Sequence, residues 1–73
     1  MQQDDTILKV GHLIKFARKR KGITQDELVE ISGVSKSTIA KTEQGSANPS
    51  FVSMYKIFKV LDIDIGALNN FQL

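Results

Sequence analysis

TQDELVEISGVSKSTIAKTEQ, residues 24–44, is the stretch that decides the fold of this chain. Thr24 is followed three residues later by Glu27, a spacing that forms a capping box and predicts that a helix begins there. The apolar face of this helix is predicted to consist of Leu28 and Ile31. Gly33 comes soon after Thr24, so the helix is predicted to be short and to end at the glycine.

Another short helix is predicted directly after that glycine. It begins at the cap residue Ser35 and has Ile39 as its inward anchor, and Gly45 ends it. Two short helices joined by a tight turn that contains glycine predict a helix-turn-helix unit over about residues 24–44. The second helix of such a unit lies in the major groove of DNA, so a recognition helix is predicted over Ser35–Gln44.

Helices are also predicted on both sides of this unit. Residues 5–21 carry apolar side chains at intervals of three and four, namely Ile7, Val10, Ile14 and Ala17. The candidates to cap the start of this helix are Asp4, Asp5 and Thr6. Gly22 is predicted to end it. Ser50 can cap a fourth helix, whose inner stripe is predicted to be Phe51, Met54, Ile57, Phe58 and Leu61.

The tail of the chain carries two conflicting signals. Asp64 can cap a short fifth helix that includes Ile65 and Leu68. Residues 61–65, however, alternate between apolar and acidic side chains, which is typical of a strand. We favour the helix. The prediction is therefore an all-α fold of five short helices in one compact domain over residues 1–73.

Composition and charge narrow the function. The chain has no cysteine, which removes disulfides and thiolate metal sites from consideration. No apolar run approaches the roughly 20 residues that cross a bilayer, and residues 1–5 are polar and acidic, unlike a secretory signal. We therefore expect a cytoplasmic protein with no membrane contact. The net charge is only +2, but basic residues cluster over residues 15–21. A one-sided basic cluster is typical of a nucleic-acid-binding surface, although on charge alone a solvated helix end is the more common explanation.

An enzyme is not expected. The single histidine, His12, lies in a predicted helix without a metal-ligand partner at helical spacing. There is no glycine-rich phosphate loop and no nucleophile with an adjacent base, and a chain of 73 residues leaves little room for a substrate cleft. We expect no catalytic residue, no metal, no cofactor and no small-molecule ligand.

An ordered set of motifs runs through nearly the whole chain. Its parts are Val10-Gly11 with Ile14 and Arg18, residues 22–28, Gly33-Val34-Ser35, Thr38-Ile39, Glu43 with Gly45, and Asn48-Pro49-Ser50. In this order and spacing, from about Val10 to Leu68, they resemble the Cro and phage-repressor (XRE-like) class of helix-turn-helix regulators. The resemblance implies a compact lambda-repressor-like domain whose partner is double-stranded DNA.

The resemblance also implies which side chains meet DNA. The positions that face bases are matched by Lys36, Ser37 and Lys41. Lysine can donate to O6 and N7 of guanine, so the two lysines predict a guanine-containing half-site, unless they contact only phosphate. The positions that meet phosphate are matched by Gln25, Ser35, Thr38, Gln44, Ser46 and Asn48. A role as ordinary cap, first-turn or loop residues is the alternative for Gln25, Gln44, Ser46 and Asn48.

Arg18 and Glu43 match two positions that pair with each other across the class. The implied pair ties the first helix to the end of the third, and a bidentate geometry would orient both elements. Its expected role is structural. Removal of one partner should cost more than the intact pair contributes, because an unpaired charge would stay buried.

Three residues depart from the pattern of the class. Val29 stands where alanine is usual, so its extra methyl groups need room between the second and third helices. Asp62 stands where a glycine commonly follows the fourth helix, which predicts a different exit from that helix. Val52 replaces a residue that is usually polar and leaves apolar surface beside Tyr55.

The sequence is compatible with two functions. The first is a transcriptional regulator, a repressor, that binds a pseudo-palindromic operator as a homodimer, because one recognition helix reads too few bases. The candidates for the dimer surface implied by the resemblance are Val52, Ile65, Phe71 and Leu73, unless these side chains only close a small core. The alternative is an antitoxin that binds a protein toxin and regulates its own synthesis. A strand over residues 61–65, paired across a dimer, would suit that alternative.

Overall fold

Four α-helices form the described part of the chain, residues 5–64 of a computed structural model. They are α1 (Thr6–Lys21), α2 (Gln25–Ser32), α3 (Lys36–Gln44) and α4 (Phe51–Val60). Residues 5–64 contain no strand, so the predicted all-α helix-turn-helix fold is confirmed over this range. The fifth helix predicted after Asp64 lies outside the described residues. None of the described helices is long and apolar enough to cross a membrane.

Side-chain caps begin three of the four helices. The capping box of α2 is confirmed: the Glu27 backbone N–H donates to Thr24 Oγ1 at 3.0 Å, and the Thr24 N–H donates to Glu27 Oε1 at 2.7 Å. Ser35 and Ser50 cap α3 and α4 as predicted. The cap predicted for α1 is not made by Asp5, because its backbone is already helical (φ −77°, ψ −4°) and a capping side chain needs an extended backbone.

The core lies where α1 and α2 pack against α3 and where α4 packs against α2. Contacts join α1 to α3, α2 to α3, and α2 to α4. The buried apolar side chains come from all four helices, the α2–α3 turn and the residue after α4: Val10, Leu13, Ile14, Leu28, Val34, Ile39, Ile57, Phe58 and Leu61. Burial of this set is the main favourable term in a domain this small.

Two predicted core residues lie outside the core. Ile31 is 59% exposed and Phe51 is 70% exposed, so the predictions that each faces inward are wrong. Both belong to short helices, Ile31 to the last turn of α2 and Phe51 to the first turn of α4. Helical spacing identifies a face, but it does not say how far along the helix a neighbour covers that face.

The departures at Val29 and Asp62 are accommodated locally. Val29 is only partly buried and packs against the core, so its methyl groups do not have to fit inside it. Asp62 adopts the left-handed conformation (φ 57°) that glycine favours, so the different exit predicted after the fourth helix is not present. Its carboxylate lies 3.1 Å from Lys21 Nζ, which links the end of α4 to the end of α1.

Gly11 allows α1 and α3 to approach closely. A Cβ placed at Gly11 would overlap the backbone carbonyl oxygen of Thr42 and would press against the carbonyl of Glu43. Because these atoms belong to the backbone of α3, a side chain at Gly11 would have to push the two helices apart. The separation between α1 and the recognition helix therefore depends on the absence of a side chain at this position.

We expect Gly11→Ala to lower the free energy of unfolding by about 1–3 kcal/mol, because the overlap exceeds the gain of about 1 kcal/mol in helix propensity. His12→Ala is the control, since His12 is the exposed neighbour on the same helix and should change stability by less than about 0.5 kcal/mol. Urea unfolding followed by circular dichroism measures both. A Gly11→Ala variant as stable as the wild type would show that the helices separate without cost.

Candidate nucleic-acid interface

The side chains of α3 divide into a buried set and an exposed set. Ile39, Thr42 and Glu43 are buried and fix the helix to the rest of the fold. The three side chains predicted to contact bases, Lys36, Ser37 and Lys41, are all exposed. The helix therefore presents these three side chains to solvent while its other side is held in the core.

A buried ion pair holds the carboxyl-terminal part of α3 to α1. Arg18 Nε donates to Glu43 Oε2 at 2.8 Å, and Arg18 Nη2 donates to Glu43 Oε1 at 3.1 Å. The two side chains are only 10% and 3% exposed. The geometry is bidentate, which fixes the orientation of both groups as well as their distance.

The same charged pair also holds the α1–α2 connection and the start of α2. Arg18 Nη1 donates to the backbone carbonyl of Ile23 at 2.8 Å, and Gln25 Nε2 donates to Glu43 Oε1 at 3.1 Å. Four segments of the chain thus converge on two side chains. Hydrogen bonds around a buried pair compensate for the water that its charges have lost.

Gln25 has a structural contact that the sequence did not predict. Its side chain is half-buried and bonded to Glu43, so in this conformation the amide points to the ion pair. The backbone of Gln25 nevertheless forms the first residue of α2, where N–H groups without intrahelical partners make a helix end attractive to anions. A phosphate contact at this position would then come from the backbone.

Ser35 and Thr38, both predicted to contact phosphate, bond to each other at the amino end of α3. The Ser35 hydroxyl accepts from the Thr38 backbone N–H at 3.2 Å and donates to Thr38 Oγ1 at 2.9 Å. The cap therefore fixes both hydroxyls beside the first turn of the recognition helix. Hydroxyl groups held in this way can also meet a phosphate oxygen.

The remaining predicted phosphate residues lie at and after the end of α3. Ser46 donates its hydroxyl and its backbone N–H to the carbonyl of Lys41, at 3.2 and 3.0 Å, which is a capping role. Gln44 and Asn48 are exposed. The structure thus gives Ser46 a structural role and leaves the other two side chains in solvent.

A cleft lies between the end of α1, the start of α2 and the start of α3. Its volume is about 480 Å³, and it is lined by Arg18, Lys19, Gly22, Ile23, Thr24, Gln25, Asp26 and Lys36. The four basic residues Arg18, Lys19, Arg20 and Lys21 occupy the last turn of α1, and of these only Arg18 is buried. The cleft thus adjoins exposed positive charge and the amino end of α2, both of which attract phosphate.

An ion pair that sequence reasoning missed lies at this cleft. Lys36 Nζ is 2.7 Å from Asp26 Oδ1. Both residues lie in the first turn of a helix, Asp26 in α2 and Lys36 in α3. The opposite charges could have suggested the contact, but ten residues separate them and the turn between the helices decides whether they meet.

Exposed apolar side chains occupy the beginning of α4. Val52 and Tyr55 are 59% and 58% exposed, next to the still more exposed Phe51. The predicted apolar surface at Val52 is therefore present. A groove of about 400 Å³ adjoins it, lined by Phe51, Met54, Tyr55, Phe58, Lys59, Ile63 and Asp64. The other predicted dimer residues, Ile65, Phe71 and Leu73, lie outside the described residues.

Comparison with known proteins agrees with this geometry. A family model described as helix-turn-helix matches residues 14–68, about three quarters of the chain. The chain belongs to the helix-turn-helix family. The resemblance to the Cro and phage-repressor class is thereby confirmed.

Relatives of this helix-turn-helix chain include two bacterial regulators. It is 38% identical over 60 residues to the HTH-type transcriptional regulator SlrR of Bacillus subtilis (strain 168), covering 81% of this chain and 40% of that protein. It is 39% identical over 62 residues to the HTH-type transcriptional regulator SinR of Bacillus licheniformis, covering 84% of this chain and 56% of that protein. The chain thus spans about half the length of the curated relatives it matches.

A solved structure resembles the helix-turn-helix chain over most of its length. The wild-type restriction-modification controller protein C.Esp1396I superimposes with a TM-score of 0.79 at 28% identity, covering 93% of this chain and 90% of that one. The tetramer of that controller protein in complex with its natural 35 base-pair operator matches equally well.

We expect Glu43→Ala to lower the free energy of unfolding by about 3–5 kcal/mol, because it leaves the Arg18 guanidinium buried without its carboxylate. The double variant Arg18→Met, Glu43→Leu should recover a large part of this loss, since no unpaired charge remains. Thermal and urea unfolding measure both. Unchanged stability of Glu43→Ala would contradict a structural role for the pair.

Proposed function

We propose that this chain is a sequence-specific DNA-binding transcriptional regulator, a repressor, that acts as a homodimer on a pseudo-palindromic operator. The observation that carries the proposal is the exposed face of α3, which is fixed to the fold by the buried Arg18–Glu43 pair. A rigid helix with its polar face outward is what major-groove reading requires. In this proposal residues 1–73 form one DNA-binding domain.

In the proposed complex the first turns of α3 read base edges. Lys36, Ser37 and Lys41 are the base-contacting residues, and they are exposed as this role requires. A lysine ammonium donates to O6 and N7 of guanine, and a serine hydroxyl can meet several bases. A half-site that contains guanine is therefore the expected target.

The phosphate contacts proposed around α3 set the position of the helix in the groove. They come from the amino ends of α2 and α3 and from the loop after α3, at Gln25, Ser35, Thr38, Gln44, Ser46 and Asn48. Phosphate contacts fix register without reading sequence. Because several phosphates are neutralised per dimer, affinity should fall steeply as the salt concentration rises.

Two copies are proposed to pair through the exposed side of α4 that includes Val52. Two-fold pairing places two recognition helices about one DNA turn, roughly 34 Å, apart. The operator-bound controller tetramer, a structural neighbour, supports binding by more than one copy. The remaining residues proposed for this interface are Ile65, Phe71 and Leu73.

An antitoxin remains the alternative function, but no feature of residues 5–64 favours it. Residues 61–64 form a turn and an irregular stretch, so the described part of the 61–65 segment does not form the strand that would suit a paired two-stranded sheet. Recovery of a stoichiometric protein partner in a pull-down would support the antitoxin instead.

The binding site itself can be identified by selection from a random DNA pool. We expect two half-sites related by two-fold symmetry, each containing guanine, with centres about one helical turn apart. Enrichment of no sequence would contradict sequence-specific binding. An asymmetric single site would contradict the homodimer.

On the selected site, Lys41→Ala should bind with less discrimination between bases at one or two base pairs, by about 1–3 kcal/mol of binding free energy. Gln25→Ala should weaken binding to all sequences about equally, because loss of its bond to Glu43 loosens the start of α2, whose backbone N–H groups are proposed to meet phosphate. Fluorescence anisotropy with a panel of single-base variants measures both. Lys9→Ala is the charge control, because Lys9 lies near the start of α1, outside the segments proposed to contact DNA or a second copy. The same pattern for Lys41→Ala and Gln25→Ala would contradict these roles.

Val52→Glu should weaken the dimer while α4 remains folded, because an acidic residue in the first turn of a helix is favourable. Ile31→Glu is the matched control, since Ile31 and Val52 are both 59% exposed on different helices. Sedimentation velocity measures the association of both variants. Equal dimerisation of Val52→Glu and the control would exclude this side of α4 as the interface.

A further inference from the structure

Asp26 and Lys36 form an ion pair on the surface that is proposed to contact DNA. The distance from Lys36 Nζ to Asp26 Oδ1 is 2.7 Å. Lys36 is the first residue of the recognition helix, where side chains reach base edges. Neither the Arg18–Glu43 pair nor the Lys21–Asp62 pair involves a side chain proposed to read bases.

The fold does not depend on this pair. The Asp26 side chain is 78% exposed and the Lys36 side chain is 54% exposed. Exposed pairs of this kind change an equilibrium by about fivefold or less. The pair can therefore open at little cost, and its effect should appear in DNA binding rather than in stability.

The position of the Asp26 carboxylate matters for an approaching phosphate. Asp26 lies in the first turn of α2, at the positive end of the helix dipole. A DNA phosphate proposed to bind at this helix end would meet the carboxylate there. The carboxylate also neutralises Lys36, and α3 has no acidic residue in its own first turn. The Asp26 side chain thus screens both the amino end of α2 and the ammonium group of Lys36.

We propose that Asp26 acts as an internal anion that competes with DNA for Lys36 and so lowers affinity for non-cognate sequences. The inference rests on the proposed function and names a specificity-determining residue for it. On a random sequence, Lys36 would exchange its ion pair with Asp26 for an ion pair with a DNA phosphate, with little gain in binding free energy. On the cognate site, the hydrogen bonds from Lys36 to guanine O6 and N7 are more favourable than its exposed ion pair, so Lys36 leaves Asp26.

Asp26→Asn removes the charge and keeps the size of the side chain. We expect tighter binding to random-sequence duplex, by roughly three- to tenfold for a dimer, because two lysines are released. The slope of log affinity against log salt should become steeper by about one to two, since each released lysine neutralises one more phosphate. Affinity for the selected operator should rise less, so the ratio of cognate to random affinity should fall.

Fluorescence anisotropy titrations of labelled random and operator duplexes, over a series of salt concentrations, measure these quantities. Glu30→Gln is the matched control, because it removes an exposed carboxylate from the same helix and changes the net charge equally. In a Lys36→Gln background, Asp26→Asn should lose most of its effect, since the competing ammonium is gone. Circular dichroism verifies that each variant is folded.

The outcomes separate this inference from the proposed function. If wild-type protein binds the selected operator but Asp26→Asn behaves like Glu30→Gln, the inference that Asp26 competes with DNA for Lys36 is wrong and the proposed function stands. If Asp26→Asn weakens operator binding and leaves random binding unchanged, Asp26 orients Lys36 and the competition is also wrong. If wild-type protein prefers no sequence, the proposed function itself is contradicted.

Discussion

The buried pair between Arg18 and Glu43 is the interaction on which the rest of the structure depends. Its two charges are almost without solvent, so each requires the other and the hydrogen bonds around them. Ile23 and Gln25 supply those bonds, which brings the end of α1, the following turn and the start of α2 to one point. The pair thereby sets where the recognition helix lies relative to both earlier helices.

The close approach at Gly11 acts together with this pair. The pair fixes the orientation of α3, and the absence of a side chain at Gly11 lets the backbones of α1 and α3 come near enough for it to form. With its inner side held in this way, α3 can turn Lys36, Ser37 and Lys41 outward without disturbing the core. A rigid frame of this kind limits the backbone entropy that would be lost in the proposed binding to DNA.

Two ion pairs that differ in burial therefore lie beside the exposed face of α3. The Arg18–Glu43 pair is buried and holds the geometry of the frame, whereas the Asp26–Lys36 pair is exposed and easily opened. Burial decides the difference, because water screens the outer pair and has little access to the inner one. The exposed apolar side chains of α4 form a separate region, which is proposed to contact a second copy of the chain.

Much of this protein was determined by the sequence itself. The capping box at Thr24, the serine caps and the glycine stops are local signals, and they predicted the helix-turn-helix over residues 24–44 because capping acts within one helical turn. The tertiary structure decided what local spacing could not. It placed Ile31 in solvent, turned Gln25 toward Glu43, and brought Asp26 to Lys36 across the turn. Each of these three results depends on how one helix packs against another. Periodicity within a single helix carries no information about that packing.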